Sequence, residues 1–415
     1  MIKKVVKSYD EILDVWKSKI SHHKIIDDDG NEKGLTLSQA IISKLIIDFD
    51  IKIPFPDEYK DKIEVKYRHL FIPTSFLDCE FLKTVEILNK NSKHFERCTF
   101  PKFKLVGKSH NSNLTFKSCK MDLLDFENSN FESKDDADNK GKVRFHNCDL
   151  YNVDFTNTTF GNLADFYGTT FHQKIIFQRT DFLGTVVFSS ATFKENTLFT
   201  YVLFKKSGIF NQTIFKKGLD LSQSIVEGNL TFFETDLNNY KSKKLSHGNY
   251  YDSINLDGDI PYQNKRETFR IIKNQLIQQN NPIAAEKYLK LEKQAFLEEK
   301  NIEAIFEDNV IKTFKILLSD YIILKLNKYS NNFKTSWLYG LAFTLIVALI
   351  FHLILSISES YRLNEVKNFV SLINLTDFDL LNKGRSNIFY ITVFIAKLSL
   401  GFGIYQLIQA FRKFK

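Results

Sequence analysis

Phenylalanine recurs at intervals of five and six residues between positions 166 and 210. An amphipathic helix repeats its apolar residues every three or four positions, and a half-buried strand repeats them every two. A helix with an eleven-residue repeat needs more apolar positions than this stretch has, and Thr, Gly and Asn are poor helix formers. The spacing therefore excludes a long helix. The rings are Phe166, Phe171, Phe177, Phe182, Phe188, Phe193, Phe199, Phe204 and Phe210.

A row of small or β-branched residues lies two positions before most of these rings, as at Ala164, Thr180 and Val202. A backbone that turns a corner every five or six residues would direct both rows inward. One such unit cannot fold alone, because burying one Phe contributes roughly 1.5–3 kcal/mol while ordering five residues costs on the order of 7 kcal/mol. Stacked units share hydrogen bonds and ring contacts, so the pattern predicts a solenoid with the phenylalanines as its core.

The stretch resembles the pentapeptide-repeat family, whose unit has a central Phe or Leu and a small residue two positions earlier. The sequences CTF at 98–100, CDL at 148–150 and ATF at 191–193 match that unit. The resemblance covers about residues 71–237 and implies a right-handed quadrilateral β-helix with four units per coil. The extra residue in every second unit is expected to bulge one corner of each coil, and the polar insertion at 133–142 to leave the solenoid as a loop.

The four cysteines each lie two positions before a central residue, in the small row. Because a buried free Cys behaves as a small hydrophobe, this row suits them. No CxxC pair occurs, and the nine histidines form no HxxxH pair, so no metal site is predicted. The cysteines are Cys79, Cys98, Cys119 and Cys148.

The familiar catalytic motifs are missing from the sequence, which has no GxxxxGK[ST], GxGxxG, HExxH or GxSxG. We therefore expect a protein that is not an enzyme, with no catalytic residues and no cofactor.

The net charge of +8 lies entirely in the C-terminal part of the chain. Basic and acidic residues balance over 1–70 and over 71–240, whereas 241–415 holds 24 basic and 16 acidic residues. Some pentapeptide-repeat proteins mimic DNA with an acidic rod. A neutral solenoid lacks the electrostatic field for that role, which argues against DNA mimicry and nucleic-acid binding.

Changes in composition divide the chain into five predicted parts. Residues 9–20 and 37–46 have helical spacing and 63–72 alternate like a strand, which suggests an α/β cap. Asn281 followed by Pro282 is a good helix start, so 266–300 reads as an α-hairpin. The parts are the cap (1–70), the β-helix (71–240), a polar linker (241–264), a helical adaptor (265–335) and a two-span membrane hairpin (336–411) with an external connection (359–387).

Residues 337–357 contain no charge and are long enough to cross a hydrocarbon core of about 30 Å. A second apolar stretch, 388–411, contains Lys397. Its thirteen Leu, Ile, Val and Phe residues favour insertion by more than the roughly 3 kcal/mol that a central Lys costs. Two transmembrane helices are therefore predicted. The adaptor and both spans also resemble the membrane module of bacterial pentapeptide-repeat proteins.

Basic residues flank the two spans, but the connection is also basic, so the positive-inside bias is modest. No apolar h-region occurs at the start of the chain, so no signal peptide is expected. The cysteines suit a reducing compartment. We expect a multi-pass protein of the bacterial inner membrane with its solenoid on the cytoplasmic side.

Lys397 is the most informative polar residue of the spans, because an intramembrane charge usually faces a bundle interior or a water-filled path. Two structural explanations stand beside a pore or sensor position: pairing with a carboxylate of the connection or with helix-end carbonyls, or a span placed lower. His352, Gln406 and Gln409 are further polar candidates. Ser399 and Gly403 form a small-xxx-small pair suited to helix packing.

Two functions remain open. In the first, the solenoid is an interaction or sensing scaffold for an unknown cytoplasmic protein, attached to an oligomerising two-span module in the lipid bilayer. In the second, the homo-oligomer is a pore-forming or membrane-depolarising effector, with a role in phage defence and with Lys397 lining the path. Phage defence rests on analogy with other bacterial two-span modules.

Overall fold

The computed structural model comprises two compact units, Met1–Gln275 and Leu276–Lys415. It describes residues 3–20, 25–26, 32–34, 41–54, 57–60, 75–88, 92–131, 140–237, 240–243, 254, 258–306, 321–357, 361, 366–378, 380 and 386–412. The predicted strand at 63–72 and most of the predicted loop at 133–142 lie outside these residues.

The first unit consists mainly of short strands. Its helices are α1 (Tyr9–Ile20) and α2 (Asp57–Lys60), and α3 (Tyr262–Gln278) begins in it. The strands are β1 (Lys4–Val6), β2 (Ile25–Ile26), β3 (Glu32–Gly34), β4 (Ile41–Ser43), β5 (Leu45–Ile47), β6 (Ile51–Ile53), β7 (Ser75–Leu77), β8 (Glu80–Phe81), β9 (Thr84–Ile87), β10 (Lys93–Glu96), β11 (Thr99–Phe100), β12 (Lys102–Leu105), β13 (Leu114–Lys117), β14 (Lys120–Asp125), β15 (Asn130–Phe131), β16 (Val143–His146), β17 (Asp149–Asp154), β18 (Thr159–Phe160), β19 (Ala164–Asp165), β20 (Thr170–Phe171), β21 (Ile175–Ile176), β22 (Asp181–Phe182), β23 (Val186–Val187), β24 (Thr192–Phe193), β25 (Thr197–Leu198), β26 (Leu203–Phe204), β27 (Gly208–Ile209), β28 (Ile214–Phe215), β29 (Leu219–Asp220), β30 (Ile225–Val226) and β31 (Leu230–Thr231).

Apart from the β2–β3 hairpin, the described strand pairs are parallel and belong to four sheets. From β20 onward the chain visits the four sheets in the same order in every coil. Phe171 pairs with Phe193 and Phe193 with Phe215, so one coil takes 22 residues. This repeated parallel pairing fits the predicted solenoid.

The phenylalanine rings stack in columns between coils. In the longest column, neighbouring rings are 4.7–5.4 Å apart and nearly parallel. Rings of neighbouring columns meet edge to face, as Phe177 meets Phe188 at 5.7 Å. The predicted core is therefore confirmed. The long column consists of Phe76, Phe95, Phe116, Phe145, Phe166, Phe188, Phe210 and Phe232.

Each regular coil contains two extra residues, not one as predicted, because steps of five and six residues alternate as the chain passes from sheet to sheet. At the five-residue corners the second residue after the ring has a positive φ, as at Gly168 and Arg179. At one six-residue corner the extra residue also bonds to the preceding coil: the N–H groups of Leu183 and Gly184 both donate to the Phe160 carbonyl.

The small inward row forms hydrogen bonds along the solenoid axis. The buried Thr169 hydroxyl donates to the Phe145 carbonyl at 2.6 Å, and Thr213 bonds in the same way to Phe188 at 2.8 Å. Cys98 occupies the same row, and its Sγ lies 3.3 Å from the Phe76 carbonyl. All four cysteines are buried thiols, and the hydrogen bond with Cys119, together with burial, raises the pKa of Cys98 to about 12.

The N-terminal part differs from the prediction. Helix α1 is present, but 41–47 forms strands β4 and β5 rather than a helix. These strands pair with β7 and β8, so the parallel ladders begin before residue 71. The helical spacing was misleading, because Ile42, Leu45 and Ile47 are buried in strands of two parallel sheets, and a β-branched residue such as Ile suits a strand.

Helix α3 covers the last coil. The N–H of Leu221 donates to the Thr268 hydroxyl at 3.0 Å, and the N–H of Leu230 donates to the Gln275 side-chain oxygen at 2.9 Å. One coil earlier, the equivalent N–H groups of Phe199 and Gly208 donate to backbone carbonyls of the next coil. The side chains of α3 therefore replace the carbonyls of a missing coil, which protects the end of the solenoid.

His110 continues the ring column of Phe131 at a centroid distance of 5.3 Å and is fully buried. In the described part of the chain neither ring nitrogen makes a hydrogen bond. Burial lowers the pKa of His110, although the nearby Gly107 backbone opposes part of the shift. Burial therefore disfavours the protonated form of this imidazole in the folded protein.

We expect His110 to make the solenoid less stable in acid. The unfolded chain gains a proton below a pKa of about 6.5, whereas the folded chain resists it, so the free energy of unfolding falls as the pH drops below that value. His110→Phe should remove this contribution, and a thermal melt of the full chain in detergent at pH 7.5 and 5.5 measures it. If the variant loses as much melting temperature between the two pH values as the wild type, His110 is not the source.

The second unit is helical in its described residues. Residue Pro282 begins α4, and the Asn281 side chain accepts a hydrogen bond from the Ala284 N–H at 3.1 Å, as the predicted helix start requires. Its helices are the end of α3, α4 (Pro282–Phe306), α5 (Ile322–Asn331), α6 (Trp337–Leu355), α7 (Val366–Ile373) and α8 (Asn387–Phe411).

Candidate intramembrane polar site

Helices α6 and α8 are long and apolar enough to cross a membrane. They pack against each other in antiparallel fashion, with Gly340 against Leu407 and Thr344 against Gly403. The buried residues of the two helices include small and polar ones such as Gly340, Thr344 and Gln406 as well as Leu355, Phe389 and Leu400, and the outward residues are mostly Leu, Ile and Phe. The two helices therefore form a hairpin.

Lys397 lies ten residues after the start of α8, which is about 15 Å along the helix axis. Its ammonium donates to the backbone carbonyls of Asn374 at 2.8 Å and Ser371 at 3.4 Å, and also to that of Asp377. The Phe378 ring centroid lies 5.6 Å from the same nitrogen. Ser371 lies in the last turn of α7, Asn374 follows that helix directly and Asp377 lies beyond it, so Lys397 caps the C-terminus of α7 and binds the turn after it.

His352 is buried near the end of α6, where its Nδ1 lies 2.6 Å from the Tyr361 hydroxyl. The rings of Tyr361 and Phe369 pack edge to face against the imidazole at 5.3 and 5.2 Å. His352 therefore contacts the connection between α6 and α8, as Lys397 does, at the same end of the helix pair.

Gln406 lies nearer the opposite end of the hairpin, in a buried cluster with α5. Its side-chain nitrogen donates to Asn327 at 3.2 Å, and its side-chain oxygen accepts from Asn331. Asn331 in turn accepts from the Lys334 N–H at 2.8 Å. This network fixes the turn between α5 and α6, where Asn332, Phe333 and Lys334 all have positive φ.

The remaining predicted polar residues, Gln409 and Ser399, form hydrogen bonds within α8. The Gln409 side chain donates to the Tyr405 hydroxyl one turn earlier. The Ser399 hydroxyl bonds to the Ile395 carbonyl of its own helix at 2.9 Å, and Gly403 packs against Thr344. The helix contact is therefore made by Gly403 together with Ala396 and Leu400, which are fully buried, rather than by the Ser399–Gly403 pair.

The predicted polar residues are thus not brought together at one point. Lys397 and His352 bind the connection, and Gln406 binds α5. Sequence reasoning missed Asn331, Tyr361 and the carbonyls of α7. The repeated asparagines at 331 and 332 were the available signal for the first, but backbone carbonyls leave no signature in a sequence. Among the described residues, no group of three or more His, Cys, Asp or Glu is arranged to hold a metal ion.

Comparison with known proteins bears on the solenoid. Neither the curated proteins nor the solved structures gave a match to the chain. The segment 140–173, which contains strands β16 to β20, matches the family model described as pentapeptide repeats (9 copies). This part of the chain is therefore similar to pentapeptide repeats.

Proposed function

We propose that the chain is a non-enzymatic integral membrane protein whose pentapeptide-repeat solenoid is an interaction or sensing scaffold. The four sheets close into a right-handed quadrilateral β-helix, as the resemblance implies. Helices α6 and α8 anchor it in the bacterial inner membrane, where the module oligomerises and the solenoid lies on the cytoplasmic side. Its partner is a cytoplasmic protein.

The exposure of large apolar side chains on α6 and α8, with polar side chains buried between the helices, carries this proposal. A core helix of a soluble protein buries its large apolar side chains. In α6 and α8, only 28% of the most apolar stretch of each helix is buried. Leu345, Leu349 and Leu398 are 42, 51 and 67% exposed, while Thr344 and Gln406 are buried. Apolar side chains outside and polar groups inside suit a hydrocarbon solvent.

The solenoid supports the scaffold part of the proposal. A histidine on its surface bonds to side chains of the neighbouring coil: His172 bonds to Asp149 at 2.7 Å and stacks on Tyr151 at 4.1 Å. Stacked parallel coils present extended faces on which side chains repeat from coil to coil, and solenoids use such faces for binding. The pore or depolarising function, and with it phage defence, stays a prediction, since the Lys397 ammonium is occupied by three carbonyls.

Lysines placed on the outside of α6 test the membrane anchor. The double substitution Leu345→Lys and Leu349→Lys should sharply lower the fraction of protein that resists carbonate extraction from membranes, because each Lys costs about 3 kcal/mol near a bilayer centre. In water the same change would cost little, since both positions are exposed.

The matched control is Ile277→Lys with Ile283→Lys, two exposed helical positions outside the spans at 53 and 78% exposure. It should behave as the wild type. If both double variants stay in the membrane fraction equally, α6 does not face lipid.

Cross-linking tests the scaffold. Cross-linking of the full chain in intact cells should recover a partner protein that a chain holding only α5 to α8 does not recover. The absence of such a protein would contradict the scaffold function.

A further inference from the structure

Helix α7, in the connection between α6 and α8, buries Leu372 together with two polar side chains and exposes two valines. Its buried side chains include Asn368 and Ser371, at 7 and 3% exposure, while Val366 and Val370 are 74 and 57% exposed. Phe378, shortly after the helix, is 58% exposed. When a helix lies on a protein in water, its exposed face is normally polar and its buried face apolar.

The connection also reaches deep along the hairpin. Leu375 lies beside Gly401, fourteen residues or about 21 Å into α8. Leu372 is fully buried in one cluster with Ala348 and Ala396. Because Gly340 packs on Leu407 and Thr344 on Gly403, Lys397 is level with about residue 350, within α6.

Several polar groups of the connection bond toward the hairpin, although the buried Ser371 hydroxyl has no hydrogen-bond partner among the described residues. The Lys397 ammonium donates hydrogen bonds to three carbonyls in the last turn of α7 and just after it. Without this donor, these carbonyls would need hydrogen bonds from water. The Tyr361 hydroxyl is paired with His352 at 2.6 Å. The exposed residues of 366–378 are the apolar Val366, Val370 and Phe378 and the polar Lys367, Asn374 and Thr376. The Thr376 hydroxyl bonds to the Asn374 side chain at 2.9 Å, and the long side chain of Lys367 can extend toward the membrane surface.

We propose that α7 is a re-entrant helix, embedded in the bilayer beside α6 and α8, with lipid acyl chains covering Val366, Val370 and Phe378. This inference rests on the proposed membrane anchor and extends it: the apolar surface of α7 continues the lipid-facing surface of the hairpin. Lys397 acts as a positioning residue that holds the carbonyl end of α7 at this depth by closing the helix terminus.

Quenching by lipids tests the placement. We would attach a bimane fluorophore to Val370→Cys in the full chain, reconstituted in vesicles with and without lipids that carry a doxyl group on the acyl chain. The four native cysteines are buried, so they give little background labelling. Leu398→Cys on the outside of α8 serves as the lipid-facing control, and Ile225→Cys, 60% exposed on the solenoid, as the aqueous control.

We expect Val370→Cys to be quenched at least half as strongly as Leu398→Cys, and Ile225→Cys not to be quenched. Quenching at 398 with none at 370 would overturn the re-entrant helix but leave the anchor intact. An unquenched position 398 would instead overturn the anchor itself. The two failures are therefore distinguishable.

A second pair of variants tests whether Lys397 positions α7. Lys397→Met should abolish most of the quenching at 370, because the α7 carbonyls lose their donor, and should leave quenching at 398 unchanged. Lys397→Arg keeps several donors and should restore it. If the Met variant quenches at 370 as the Lys protein does, Lys397 does not position α7.

Discussion

Replacing Phe188 by alanine is expected to destabilise the solenoid by about 3–5 kcal/mol, the usual cost of removing a buried Phe side chain. Phe188 is fully buried and stacks on Phe166 at 5.1 Å and on Phe210 at 5.2 Å. Its loss interrupts the longest ring column in the middle. Amide hydrogen exchange of the full chain in detergent should show peptides around 166–210 exchanging two to four powers of ten faster.

Phe233→Ala is the matched control for this experiment, because Phe233 is 63% exposed on the same unit. Its expected effect is within about 0.5 kcal/mol. Phe188→Leu should lie between the two, since Leu150 occupies an equivalent ring position in another column and is fully buried. Equal exchange in Phe188→Ala and Phe233→Ala would contradict the stacked-ring core.

The second large effect is expected at the end of the solenoid. Thr268→Val combined with Gln275→Met removes the acceptors of two backbone N–H groups, those of Leu221 and Leu230. A buried donor without a partner costs about 1–3 kcal/mol. The two sites are two helical turns apart, so their costs should nearly add, to roughly 2–6 kcal/mol.

The loss should be local, because each coil of a solenoid contacts only its neighbours. Hydrogen exchange should therefore accelerate in 219–237 and stay unchanged near the first coils. Thr268→Ser keeps the hydroxyl and should preserve protection at Leu221. Should the double variant leave protection at 219–237 unchanged, the side chains of α3 do not complete the last coil.

Sequence periodicity was sufficient for the solenoid because the backbone imposes it locally. A ring every five or six residues can be buried only by a chain that turns at that interval, and the rings at Phe171, Phe193 and Phe215 stack as the spacing requires. The cysteine row followed for the same reason. Residues 41–47 were misread because a short apolar run satisfies helical and strand periods equally, and the neighbouring strands β7 and β8 decide between them.

The polar residues of the two long apolar helices were found from composition, since a charge in a run of apolar residues is visible without a structure. Their partners were not. The Lys397 ammonium binds carbonyls some twenty or more positions earlier in the chain, and every residue type carries a carbonyl. Pairing with helix-end carbonyls was one of the alternatives left open by the sequence, and the tertiary structure selects it.

By itself, the amino-acid sequence determined the repeating core, the positions of the small row and the two apolar helices, because each depends on a spacing or a length. Only the tertiary structure decided how the solenoid ends and where the connection lies. Thr268 and Gln275 became acceptors for the last coil, and α7 turned its valines outward, through contacts between residues far apart in the chain. Such contacts depend on which groups are left unsatisfied after each element has formed, and no local pattern encodes them.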